Sequence, residues 1–225
     1  MNFYDRVEHF NQIIIDKVRV TGTEVPDDKQ WPWFNLVLKS SQYARAHIDT
    51  MDYRQTHGLY MTHICIFPNI DNGAPIFGLD LVAGKKKVTG AFHDFSCSEH
   101  MNDDHPMQMR FAQNVKGLNW HRTRELPEWA QNIFSPSMLA VSNINTIEEI
   151  DQFFDVAIKN LDYYLEHVAN YKTVTKATAE ETLARHNWYC ENQRQNPHTP
   201  RVVASLGVDP DLIDPFINDC LFPRF

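Results

Sequence analysis

The chain has 225 residues, 43% hydrophobic and 22% charged, a globular composition that excludes a disordered tail, a collagen or a charged coiled coil. With 21 Lys and Arg against 29 Asp and Glu, the formal charge of −8 argues against nucleic acid as a partner, because neutralising phosphates takes a basic face. The apolar runs are far too short for a membrane span, MNFYDRVEHF lacks a signal-peptide core, and Cys65, Cys97, Cys190 and Cys220 form no CxxC. These features predict a cytoplasmic chain with free thiols, a monomer built as one domain over residues 1–225.

In chain order, Phe3, Val7, Phe10, Ile14 and Val18 recur every three or four residues and predict an opening helix over 3–19. Residues 34–53 alternate and read as extended. Two strands follow, Leu59–Phe67 and Ile76–Val82, joined by the turn formers of PNIDNGAP. The run KKKVTGAFHDFS predicts another strand behind a basic turn. Residues 99–136 are polar and broken by prolines, and Met138–Val141 reads as a short strand. From Thr146, IEEIDQFFDVAIKNLDYYLEHVANY is a long helix with a wide apolar face, and helical patterns return over 177–194 and 210–221. Strands first, helices last and tight antiparallel turns predict an α+β fold. Both faces of the central strand pair are apolar, so the sheet is covered on both sides: a three-layer α/β/α sandwich with a central antiparallel sheet flanked by helices.

A turn centred near Asp71 and Asn72 places His63 opposite Asp80. Directly opposed side chains lie roughly 4.5–5.5 Å apart at Cβ, near enough to share a proton. Two readings stay open on spacing alone: a structural buried pair, or a proton-donating couple that titrates as a unit. Other constellations carry less. His47, Asp49, His63 and Cys65 alternate on strands as metal ligands can, but without a second ligand pair of fixed spacing, so no metal is expected. Cys97 with His63 lacks an oxyanion motif. His93, His100, His105 and His121 read as surface side chains. Lys85, Lys86 and Lys87 read either as a plain solvated turn or as a docking spot for a negatively charged partner.

Four segments in order, LYMTHICIFP with PIFGLDLV, RELPEWAQNIFS, NWYCENQRQN and the closing CLFPRF, resemble the ferredoxin-dependent bilin reductases, above all their phycocyanobilin-forming members, over roughly residues 40–225. The resemblance implies an α/β/α sandwich that binds biliverdin IXα between sheet and C-terminal helices. It also implies four-electron reduction through radical intermediates, with reduced ferredoxin as external donor and no permanently bound cofactor. By the same resemblance Asp80 is the central acid, His63 its partner, Asn196 stands where some members carry a second Asp, and Arg124 pairs with a substrate propionate. The family's H-x-E motif corresponds to His47-Ile48-Asp49, one methylene shorter at the acid, and His198 stands where a Lys is common. His47 and His198 are accordingly expected at the substrate. The shorter Asp49 turns the expectation from phycocyanobilin toward phycoerythrobilin by way of 15,16-dihydrobiliverdin, phycocyanobilin being the alternative. A non-catalytic bilin carrier is the alternative of another class; it would need neither His63 nor Asp80. Lys85–Lys87, with Arg194 or Arg201, are the expected ferredoxin contacts.

Overall fold

The computed structural model describes residues 2–26, 29–96, 105–171 and 176–225, with side chains in the last stretch from residue 179. Helix α1 (Phe3–Arg19) is capped by Asn2, which accepts from the Asp5 amide, and buries the expected stripe of Val7, Phe10, Ile14 and Val18. Seven strands then form one sheet among the described residues: β1 (Thr23–Glu24), β2 (Phe34–Lys39), β3 (Tyr43–Tyr53), β4 (Leu59–Pro68), β5 (Ile76–Gly84), β6 (Val88–Ser96) and β7 (Leu139–Val141). Their order in space is their order in sequence, every neighbour antiparallel. Turn chemistry explains the meander. Between β4 and β5 the buried Asn72 accepts from the Ala74 amide and donates to the Val168 carbonyl. Between β3 and β4 the chain reverses through Gly58 at φ 62°, a conformation glycine adopts without a Cβ penalty.

The helices are α2 (Pro106–Val115), α3 (Glu128–Gln131), α4 (Ile147–His167), α5 (Lys176–Gln193), α6 (His198–Ser205) and α7 (Pro210–Pro215), the last running into a π-helical turn, Phe216–Leu221. Thr146 caps α4 by accepting from the Glu149 amide. Helices α1, α2 and α4 cover one face of the sheet, and α5, α6, α7 and the π turn cover the other. The first face packs around Ile64, Phe77, Leu79, Phe153 and Phe154. The second packs around Cys65, Phe67, Tyr189, Phe216 and Phe222. Burying each such large side chain is worth roughly 1.5–3 kcal/mol against leaving it in water. The three-layer sandwich is therefore as the apolar pattern required, and no helix among the described residues is long and apolar enough to cross a membrane.

Three details depart from the sequence reading. The stretch read as irregular contains α2, whose anchors are Met107 and Phe111, with Pro106 in its first turn. Helix α6 rises from a segment with no helical expectation. His93, expected at the surface, is 1% exposed on the α4 side of the sheet. It bonds the Gly78 carbonyl at 2.8 Å and Asn160 at 3.1 Å, both remote in sequence. His121 is exposed, His105 is half-buried as the cap of α2, and Cys97 and His100 lie outside the described residues.

Candidate active site

Register builds the site. Because side chains on directly paired residues share a face, one row crosses four strands: Asn35 on β2, Asp49 on β3, His63 on β4 and Asp80 on β5. Phe92 on β6 continues it, opposite Asp80. The expected His63–Asp80 juxtaposition is thus present, and Asp49 joins it from the other side. The β3–β4 turn takes up the intervening chain and leaves Asp49 directly opposite His63.

Asp49, His63 and Asp80 stand on the floor of a cavity of about 660 Å³ between this sheet face and the C-terminal helices. That size lies within the range of small-molecule sites. Its walls are mostly apolar, with Met51, Met61, Trp129, Phe216 and Phe222 among them; Arg124, Asn196 and His198 reach it from loops and α6.

Electrostatics divides the row. His63 Nδ1 lies 3.2 Å from Asp49 Oδ2, close enough to pair but not aligned as a hydrogen bond, and both atoms lack another partner. Burial opposes a charge on His63, but Asp80 and Asp49 on its two sides outweigh it and raise its pKa. Burial also raises Asp80; His63 pulls it back down and Asp49 pushes it up. Asp49 is raised by burial and lowered by His63. Three groups in line therefore hold protons to higher pH than free side chains would, an arrangement suited to delivering them into the cavity.

The remaining candidates separate into those at the cavity and those behind it. His47 is fully buried and absent from the cavity wall. Its Nε2 bonds Asn35 Oδ1 at 2.7 Å, its ring packs 5.6 Å from that of His63, and burial holds its pKa well below the usual value. This corrects the expectation of a substrate contact: the ring sits one row behind the floor, where it supports His63. Asn196 lines the cavity, yet its Oδ1 accepts from the His198 amide and its Nδ2 donates to Thr199 Oγ1, so its amide is committed to starting α6. His198 is exposed at the rim. One ligand atom each from His47, Asp49 and His63 lies within 4.8 Å of the others, the set of described residues able to hold a cation; Cys65 is not part of it.

Of the basic candidates, Lys85, Lys86 and Lys87 are exposed on the β5–β6 turn, whose flanking Val82 and Thr89 line the cavity. Arg201 is exposed on α6. Arg194 is spent inside, donating twice to the Phe222 carbonyl. Gln193, bonded to the Tyr189 hydroxyl at 2.9 Å, is a polar cavity residue that sequence reasoning missed. It lies inside the NWYCENQRQN segment, one position from Arg194.

Known proteins resemble this chain in sequence and in fold. The family model of ferredoxin-dependent bilin reductases matches residues 23–223. Phycocyanobilin:ferredoxin oxidoreductase of Synechococcus sp. is 29% identical over 194 residues, 84% of this chain and 74% of the relative; that of Gloeobacter violaceus is 29% identical over 194 residues, 84% and 72%. The solved structure of PcyX superposes with a TM-score of 0.68 at 27% identity, covering 97% of both chains. Phytochromobilin synthase from tomato, solved in complex with biliverdin, superposes with a TM-score of 0.72 at 13% identity, covering 95% of this chain and 82% of that one, and shares the fold. The chain belongs to the ferredoxin-dependent bilin reductase family.

Proposed function

We propose that this family member reduces biliverdin IXα by four electrons, taken singly from reduced ferredoxin, and that the Asp49–His63–Asp80 row manages the accompanying protons. The observation that carries this reading is the row itself: three proton-holding groups in one line on the floor of an apolar cavity, with Arg124 at its rim. An electron added to a conjugated tetrapyrrole leaves a charged radical, and an acid within hydrogen-bond reach neutralises it. The position of that acid decides which double bond is reduced. Four electrons and four protons enter in all, and four one-electron donors are oxidised. Asp80 and His63 are the central acids. Arg124 binds a propionate through its planar fork.

The product follows from reach. Asp49 carries one methylene less than Glu, only 4% of its side chain is exposed, and its carboxyl turns toward His63. It is poorly placed to protonate the D-ring vinyl group. Reduction then begins at the C15–C16 bridge, gives 15,16-dihydrobiliverdin, and ends at the A-ring diene as phycoerythrobilin. The curated relatives bear the name of phycocyanobilin formation, and that product is the competing outcome. Anaerobic incubation of protein, biliverdin and reduced ferredoxin, followed by chromatography against both pigments, decides. An unchanged spectrum despite bound pigment would sink the enzymatic reading, and phycocyanobilin as the main product would sink the regiochemistry.

Ferredoxin docking is assigned to the Lys85–Lys87 turn beside the cavity. Plant-type ferredoxins are acidic while this chain is net negative, so local attraction must work against overall repulsion. Added salt should slow turnover, since exposed attraction is screened over about 8–10 Å. Replacing the three lysines with Gln should remove most of that salt dependence; no change in it removes this turn from the docking surface.

A further inference from the structure

Arg124 is held in an unusual way. Among the described residues its guanidinium has no ion-pair or hydrogen-bond partner; it lies over the ring of Phe92, 5.4 Å from the centroid. Phe92 is the β6 residue directly opposite Asp80, so the ring that carries the cation extends the acid row. Two positions earlier on the same face stands Gly90. A Cβ there would come 3.0 Å from the Phe92 ring edge and 3.5 Å from Arg124 Nη1. The missing side chain lets the ring lie flat enough to support the guanidinium. Gly90, Phe92, Asp80 and Arg124 all line the cavity.

The physical consequence lies in what this support leaves unused. A carboxylate partner would neutralise Arg124 and occupy its fork, and an incoming anion would have to displace it. An aromatic face orients the cation through the ring quadrupole, consumes none of its five N–H donors and leaves its charge whole. The geometry points to Phe92 and Gly90 as a positioning pair that presents Arg124 to a ligand carboxylate and sets its separation from Asp80. This rests on the reading of the cavity as the site of a propionate-bearing bilin. The pair is a determinant of selectivity for the free acid form, and it acts through Arg124 rather than on the reacting atoms.

The test compares binding of biliverdin with that of its dimethyl ester, whose propionates carry no charge. In the unmodified protein the acid should bind more tightly than the ester, and Arg124→Gln should abolish the difference. Phe92→Leu should reduce the acid-to-ester preference roughly two- to fivefold, the scale of an exposed cation–π contact, with the loss falling on the acid rather than equally on both pigments. Phe92→Tyr keeps the ring and should restore the preference. Gly90→Ala keeps Phe92 but forces the ring to shift, and should lower the preference in the same direction; it replaces Phe92→Leu if that variant does not fold. An unchanged preference in Phe92→Leu, or equal losses for acid and ester, overturns the assignment and leaves Phe92 as packing. No preference in the unmodified protein overturns the carboxylate role of Arg124 and this assignment with it. Absence of binding by either pigment refutes the bilin reading itself.

Discussion

The two faces of the sheet each carry a buried histidine, and the pair behaves in opposite ways. On the α4 side His93 is surrounded by Phe77, Phe95 and Phe111, bonds one carbonyl and one amide, and is pushed down to about 4 by burial, so it stays neutral. On the cavity side His63 is also buried, yet the carboxylates of Asp80 and Asp49 raise its pKa. Burial is common to both; the neighbours decide the sign. On the α4 side both ring nitrogens of His93 are bonded, as those of a structural histidine are. The other face leaves His63 Nδ1 and Asp49 Oδ2 without hydrogen-bond partners beside a cavity, an arrangement whose cost of desolvation is retained where chemistry uses it.

The largest expected effect breaks this contrast at its acid end. Asp80→Asn preserves shape and removes the proton, so turnover should fall at least about 100-fold, the usual worth of a positioned acid, while biliverdin binding persists. Anaerobic single-turnover spectra should then show pigment bound but stalled. Turnover at the unmodified rate would return Asp80 to a structural role.

How far the sequence reveals this division depends on where each partner comes from. The His63–Asp80 pairing is legible because a single turn, rich in Asn, Asp and Gly, sets the β4–β5 register. The apolar runs of those strands likewise announce helices on both faces. Asp49 is harder to place, because its position opposite His63 depends on a second turn whose length hides the register. The burial of His93 is hidden because its chain neighbours lead into a polar stretch, while its partners are Gly78 and Asn160, from β5 and α4. Arg194 looks available in sequence and is spent on a carbonyl 28 residues away. Helix α2 carries Met107, Phe111 and Val115 at four-residue spacing, but the helix is short and set in a polar stretch punctuated by Pro106 and Pro127, which hides the period. Tertiary partners, invisible locally, account for His93 and Arg194.

A second experiment sharpens the comparison through pH. His93 has a folded pKa near 4 against an unfolded value near 6.5, so its contribution to stability is present above pH 6.5 and is lost as pH falls toward 4. His63 has the opposite sign: its folded pKa is raised, so its contribution is complete below pH 6.5 and is lost as pH rises through the folded value. Imidazole proton resonances followed by NMR should therefore show His93 neutral at pH 5.5, and His63 titrating at higher pH than a free imidazole. Titration of His93 near 6.5 would mean that the α4 face admits water, and the distinction between the faces would fail.

The smallest expected effect lies in product ratio, and it tests how far the row reaches into the cavity. Asp49 is held at its far end from Asp80, with its carboxyl against His63 and almost no surface in the cavity. Asp49→Glu adds one methylene at a position whose backbone is fixed by pairing on both sides, to Asn35 and to His63. The added length has nowhere to go within the sheet, so the carboxyl advances toward the cavity. A proton then becomes available at the D-ring vinyl group, and phycocyanobilin should appear beside phycoerythrobilin, a several-fold change in ratio. Asp49→Asn separates reach from charge: it keeps the short side chain, cannot ionise, and should leave phycoerythrobilin as the product at reduced rate. If both variants give the product mixture of the unmodified protein, proton reach from β3 does not set the regiochemistry, and the choice of double bond lies with Asp80 and His63 alone.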